Sequence, residues 1–142
     1  MAEELLALAR ERAASNRFWQ HLGIEVVEVR EAWAKLRVNV SDDLRNAPGA
    51  PVHGGVYAAL VDAAIGCALA TVNPESAGGV GQTTLDLNVS YLAAARGATI
   101  FAEGTLLRRG RSVAFGDVRV TDDAGALVAV GRATYLILPP RA

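Results

Sequence analysis

Apolar residues recur along this 142-residue chain with two different periods, and the changes of period predict its elements. Leu5, Leu6, Leu8 and Ala9 fall on one side of a helical wheel, so residues 3–16 are expected to form an amphipathic helix. The period then shortens to two. Leu36, Val38 and Val40 alternate with Lys35, Arg37 and Asn39, so Ile24 to Arg30 and Ala32 to Val40 read as a strand pair. Residues 41–52 carry two prolines, a glycine and polar side chains, the signature of a loop. From Gly54 to Val72 the apolar positions are nearly continuous and small, which predicts one long buried helix stopped by Asn73-Pro74. Gly78-Gly79-Val80-Gly81 leads into a strand from Gln82 to Leu92. There Leu85, Leu87, Val89 and Tyr91 alternate with Thr84, Asp86, Asn88 and Ser90. Three further strands, Ala98 to Arg108, Ser112 to Thr121 and Leu127 to Leu138, are separated by the turns Arg109-Gly110-Arg111 and Asp122-Asp123-Ala124-Gly125.

The predicted order is helix, two strands, one long apolar helix, four strands. Consecutive hairpins imply an antiparallel sheet, and a helix apolar on every side implies that the sheet wraps around it. The expectation is an α+β fold in one domain spanning residues 1–142, with no internal repeat. A single sheet has two edges with unpaired backbone groups, and joining two copies through such an edge removes the exposed pairing groups. A two-fold dimer is expected on that ground alone.

Composition narrows the function classes. The net charge is −1, and the only basic run, Arg108-Arg109-Gly110-Arg111, has no interleaved aromatics, so a nucleic-acid partner is not expected. Cys67 is the sole cysteine, which excludes an intrachain disulfide and fits a reducing, cytoplasmic compartment. The N-terminus has no basic start followed by an apolar block, so no signal peptide is read there. Val56 to Val72 is short for a membrane span and contains Asp62, so no membrane association is expected. One cysteine and two histidines supply no zinc ligand set.

Asp62 carries the sharpest chemical signal. An ionised carboxylate amid YAALV and AAIGCALA requires compensation, either by anchoring a loop or by serving in catalysis, and both readings stand. His53-Gly54-Gly55 opens the long helix. Helix N-termini present free N–H groups and a partial positive charge, which suit a phosphate, a carboxylate or a developing oxyanion. A simple turn into the helix is the plainer alternative. Gly54 and Asp62 are eight positions apart, about 12 Å along a helix axis. That is too far for both to act on one carbonyl within one chain. If both are catalytic, the helix start of one copy must meet Asp62 of another. Thr84 stands on the polar side of its strand and could orient a water or a carboxylate, or be an ordinary strand threonine. Arg108, Arg109, Arg111 and Ser112 surround a turn that is either a phosphate-binding site or a solvated basic tip.

The stretch NAPGAPVHGGVYAALVDAAIGCALA resembles the core motif of the hotdog-fold thioesterases of the phenylacetate-degradation (PaaI) type. TTLDLNVSYLAAARG and LLRRGRSVAFGDVRVTDDAGALVAVGRATYLIL look like that family's strands, so the resemblance covers roughly residues 22 to 138. It implies a hotdog fold of about six antiparallel strands around a central helix, and hydrolysis of acyl-CoA thioesters. It further implies that the N–H of Gly54, after His53, polarises the thioester carbonyl. Asp62 of the partner subunit would act as general base or nucleophile, with Thr84 assisting the water and Thr83 as the alternative in a slipped register. Gly55, Arg109, Arg111 and Ser112 are matched to the CoA-binding region. The family usually places an Asn or Gln six residues before the His, where this chain has Ala47; Asn46, one residue earlier, is the candidate. The family's Pro near position 94 is replaced by Ala94. No cofactor is expected, coenzyme A being part of the substrate. The acyl group is expected to be aromatic (arylacetyl) or medium-chain, and the assembly a homodimer that pairs into a homotetramer. A non-catalytic acyl-CoA-binding hotdog module is the alternative. An enoyl-CoA hydratase would need a His after Asp62, and none is present.

Overall fold

The structure is a computed structural model that describes residues 1–73 and 81–139. Helix α1 (Ala2–Ser15) is followed by a short helix α2 (Arg17–Leu22) and the hairpin β1 (Ile24–Arg30) and β2 (Trp33–Asn39). A single 3-10 turn (Asp42–Leu44) precedes the long helix α3 (Gly54–Ala70). Four strands complete the chain: β3 (Gln82–Tyr91), β4 (Thr99–Arg109), β5 (Val113–Asp122) and β6 (Leu127–Ile137). They form one antiparallel sheet in the order β1-β2-β4-β5-β6-β3. Consecutive hairpins account for β4, β5 and β6, as expected. The β2–β4 and β3–β6 neighbours are non-local pairs.

Two helix boundaries differ from the periodicity. The first helix ends at Ser15, and a second, short helix that the periodicity did not predict follows at once. Asn16 ends α1 and caps α2, its side chain accepting a hydrogen bond from the Trp19 N–H at 3.1 Å. The long helix ends at Ala70, two residues early. There the Thr71 hydroxyl turns back to the Ala68 carbonyl (2.7 Å) and accepts the Ala32 N–H (2.8 Å). Ala32 belongs to the β1–β2 turn, not to β2, and has a positive φ of 62°. The stop at Pro74 and the glycines Gly78 and Gly79 fall outside the described residues.

The sheet curls around α3, whose Leu60, Val61, Ala64, Ile65, Ala68 and Leu69 are fully buried. Burying each of the larger side chains stabilises the fold by about 1.5–3 kcal/mol. The close approach depends on missing side chains in the sheet. A Cβ at Gly104 of β4 would lie 2.9 Å from the Ala64 backbone, and one at Gly131 of β6 would lie 2.6 Å from the Val61 side chain. The two sheet edges differ. At β1, Arg10 of α1 donates to the Val26 carbonyl (3.3 Å) beside a bulge. At β3 nearly every residue is exposed, including Leu85 (55%) and Tyr91 (54%).

A bulge in β3 changes which side chains face the helix. Thr84 pairs with Tyr135, but Asp86 pairs with Thr134, so Leu85 is the extra residue. Because side chains alternate across a strand, one inserted residue reverses the parity. Thr84 therefore shares the α3-facing side with Leu87 and Val89, opposite Asp86 and Asn88. The strict alternation read from the sequence, which sets Thr84 against Leu87, is corrected here.

The β3–β4 connection crosses the end of the sheet and is fastened by two carboxylates. Asp122 accepts the N–H groups of Arg96, Ala124 and Ala126, each at 3.0 Å. Those bonds, the one from Arg96 foremost, hold its carboxyl below the ordinary range. Asp123 accepts from Ala98 (2.7 Å) and Thr99 (3.1 Å).

Candidate active site

Asp62 lies on the one face of α3 that the sheet leaves open, together with Gly55, Ala58, Ala59, Gly66 and Ala70, none of them buried. These positions repeat every three to four residues, so they form a stripe of small side chains interrupted by one carboxylate. Its Oδ1 accepts two hydroxyl donors: Thr84 Oγ1 at 2.6 Å and Tyr135 Oη at 2.8 Å. Tyr135 also reaches the Asp62 main-chain oxygen at 2.8 Å. No hydrogen bond to Oδ2 is made by the described residues.

The Thr84 contact follows from the Leu85 bulge, which turns Thr84 toward α3. The Tyr135 contact depends on Gly66, because a Cβ there would stand 2.8 Å from the tyrosine oxygen. Tyr135 is buried, and burial, followed by the nearby Asp62 charge, raises its pKa well above the ordinary phenol value. It therefore remains a donor throughout the neutral range. Sequence reasoning missed Tyr135. The available signal was its place on the inward parity of RATYLIL, since a buried tyrosine hydroxyl needs a partner.

A cavity of about 440 Å³ opens beside Asp62, between α3, the start of β3 and the α1–α2 corner. Gln82 borders it, donating to the Gly66 carbonyl at 2.7 Å. Cys67 lies in its wall, and burial pushes that thiol up to about 12, so it is not a nucleophile at neutral pH.

The other candidates lie apart from Asp62. His53 is the N-cap of α3, and its Nδ1 accepts the Gly55 N–H at 2.8 Å. This occupies the Gly55 donor and leaves the Gly54 N–H without an acceptor among the described residues. Tyr91 donates to the Gly54 carbonyl at 2.7 Å and covers Gly54, so a Cβ there would be 3.3 Å from its ring. Sequence reasoning did not single out Tyr91 for this role. Gly54 and Asp62 remain about 12 Å apart along α3. Asn46 is exposed in the loop before α3; its main-chain N–H is bonded to Pro51 at 3.1 Å. Arg109, Arg111 and Ser112 are exposed at the β4–β5 hairpin, Arg109 donating to the Gly110 carbonyl at 3.2 Å. Among the described residues no cluster of His, Cys, Asp and Glu could hold a metal, and no helix is long and apolar enough to cross a membrane.

Comparison with known proteins gives this geometry a family. Residues 51–129, from the loop before α3 into β6, match the thioesterase superfamily. The medium/long-chain acyl-CoA thioesterase YigI of Salmonella typhimurium is 30% identical over 148 residues, covering 96% of each chain. An X-ray structure of a thioesterase-superfamily protein is 33% identical, covers 95% of this chain and 99% of its own, and superposes with a TM-score of 0.86. The Escherichia coli PaaI protein from the phenylacetic acid degradation operon has a TM-score of 0.84 over 98% of this chain and 96% of its own. At 17% identity that likeness is one of fold alone. The matched region holds both ends of the α3 face and the strand that supplies Thr84, and the chain belongs to the thioesterase superfamily, with its hotdog fold and its enzyme class, thioester hydrolase.

Proposed function

We propose that this protein hydrolyses acyl-CoA thioesters at composite sites built by two copies of the chain. The observation that carries this reading is the Asp62 carboxylate, fixed through one oxygen by Thr84 and Tyr135 at the wall of a cavity. Asp62 of one protomer is the general base for water, or the nucleophile that forms an anhydride with the acyl group. Thr84 and Tyr135 are positioning residues that hold the carboxylate, and Thr84 can also orient the water. The oxyanion is stabilised by the Gly54 N–H of the partner, at the positive end of its α3. A thiol leaving group has a pKa near ~8.5, so it departs without a strong general acid. This modest set of groups is sufficient for a thioester.

The dimer is proposed to form through β3, an unpaired edge with exposed Leu85, Tyr91 and Leu92. A two-fold axis beside it would lay one α3 face against the other and bring each Gly54 toward the opposite Asp62. Pairing of dimers into a homotetramer is part of the same proposal. Arg109, Arg111 and Ser112 would contact the CoA phosphates. Gly55 would line the carbonyl site through its backbone, and Asn46 would approach from the loop. His53 acts through its cap, orienting the first turn of α3. Hydrolysis requires no further cofactor in this scheme, and a cytoplasmic location fits a CoA ester substrate. The acyl group is of the medium-chain or aromatic class, so both a YigI-like and a PaaI-type specificity are admitted.

Thiol release over a panel of CoA esters tests the reading. Asp62→Asn should retain fold and oligomer and lose about a thousandfold in kcat. Near-full activity in that variant would refute the assignment, and tight acyl-CoA binding without thiol release by the native chain would favour a non-catalytic binding module.

A further inference from the structure

The cavity beside Asp62 has a cation in its far wall. Arg12 sits in the last turn of α1, half-buried, lining the cavity with Cys67 and Ala70 of α3 and Asn16 and Trp19 of the α1–α2 corner. Two other cations among the described residues are half-buried, and each is engaged. Lys35 stands over the Phe101 ring at 5.1 Å. Arg45 pairs with Asp42 at 3.5 Å and donates to the Ala50 carbonyl at 3.0 Å. The Arg12 guanidinium has no carboxylate, carbonyl or aromatic ring as partner among the described residues. A half-buried guanidinium with five donors and no protein acceptor leaves those donors to the contents of the cavity, solvent or an anionic ligand group.

We propose that this cavity receives the acyl group of the thioester and that Arg12 binds a carboxylate at its far end, so that the preferred substrate is the CoA half-ester of a dicarboxylic acid. This inference rests on the acyl-CoA hydrolase reading of Asp62. Cys67 is five positions beyond Asp62, about 7.5 Å along α3. An extended chain advances about 1.2 Å per bond, so roughly six bonds span that distance. The matching acyl group is a six-carbon chain with one carboxyl as the thioester and the other meeting the guanidinium. A carboxylate–guanidinium pair is charge-assisted and can be bidentate, which makes it the strongest partner the cavity can offer an acyl terminus. Gly66, Ala70 and Trp19 give the wall a small or apolar stretch that accommodates the methylene chain, beside polar groups such as Gln82 and Thr83.

Adipyl-CoA and hexanoyl-CoA have six-carbon acyl groups that differ only at the terminus, and they are the probes. The native protein should hydrolyse adipyl-CoA with the higher kcat/KM. Arg12→Leu should lower the adipyl-to-hexanoyl ratio of kcat/KM by about ten- to a hundredfold. Arg12→Lys should keep part of the preference. Hydrolysis of both esters with an unchanged ratio in Arg12→Leu would overturn the inference and leave the hydrolase reading intact. A drop in thermal stability with no change in ratio would reduce Arg12 to a helix-end charge. Thiol release from other CoA esters but from neither of these two would overturn the inference, and absence of release from every ester of the panel would instead strike the hydrolase reading. Calorimetric binding of the two esters to native and Arg12→Leu protein then decides the role of Arg12, and equal affinities throughout would overturn it.

Discussion

The two ends of the open α3 face are built to different degrees of completion. At Asp62 one chain supplies everything the carboxylate needs: a hydroxyl from β3, a phenol from β6 and a glycine one turn on that admits the phenol. At Gly54 the chain supplies a donor without a target. His53 takes the next N–H, Tyr91 takes the Gly54 carbonyl, and the Gly54 N–H points out of the helix. The first end is a finished carboxylate, and the second is an unclaimed backbone donor about 12 Å away, which the proposed function uses as the oxyanion hole. On the proposed reading one helix contributes half of each of two sites, which makes activity a property of the dimer.

Removing the waiting donor should have the largest effect at that end, with the Tyr91 ring giving way by a few tenths of an ångström to the added side chain. Gly54→Pro deletes the N–H at the first helical position, where proline is well tolerated, and His53 already has the extended backbone (φ −60°, ψ 134°) that a following proline requires. The expected loss is about a hundredfold in kcat with helix content by circular dichroism retained. A small loss would remove Gly54 from the oxyanion hole. The two ends can then be separated by complementation. Gly54→Pro and Asp62→Asn chains, each inactive alone, should regain roughly a quarter of native activity when refolded together in equal amounts, because half of the dimers are mixed and each holds one intact site. No recovery in a mixture shown to contain heterodimers would place both residues in one chain's site.

A smaller effect is expected from loosening the finished end. Tyr135→Phe removes one of two donors to Asp62 Oδ1 and should lower kcat about tenfold with little change in KM. Equal changes in both parameters would argue for substrate contact. The smallest effect belongs to the periphery. Arg109→Ala should raise KM for CoA thioesters about threefold, in a salt-dependent way, since an exposed ion pair is weak. An unchanged KM would remove Arg109 from the nucleotide site.

Much of this organisation was legible in the sequence because it is local. Alternation in LRVNV and the continuous apolar run after Gly55 gave strands and helix to within two residues. The spacing of Gly54 and Asp62 already required a second chain for joint action. The family resemblance was legible through His53-Gly54-Gly55 and Asp62, which lie in one short segment. The short helix α2 (six residues) was missed because its cap, Asn16, was read as the end of the first helix and so few residues show no apolar period.

The sequence by itself therefore determined the six strands and the two longer helices, the apolar character of α3 and the motif at its start, all of which depend on residues within a few positions of each other. Only the tertiary structure decided which groups meet across the sheet. The Leu85 bulge reverses strand parity and turns Thr84 to Asp62, and no periodicity reveals an inserted residue. Tyr135 reaches Asp62 from 73 positions away, because β6 packs across α3. Arg12 faces the same cavity because α1, packed on β1, sets its last turn beside Cys67 and Ala70 of α3. Side-chain period is written in neighbouring residues, whereas pairing between distant segments is chosen by the packing of the whole chain.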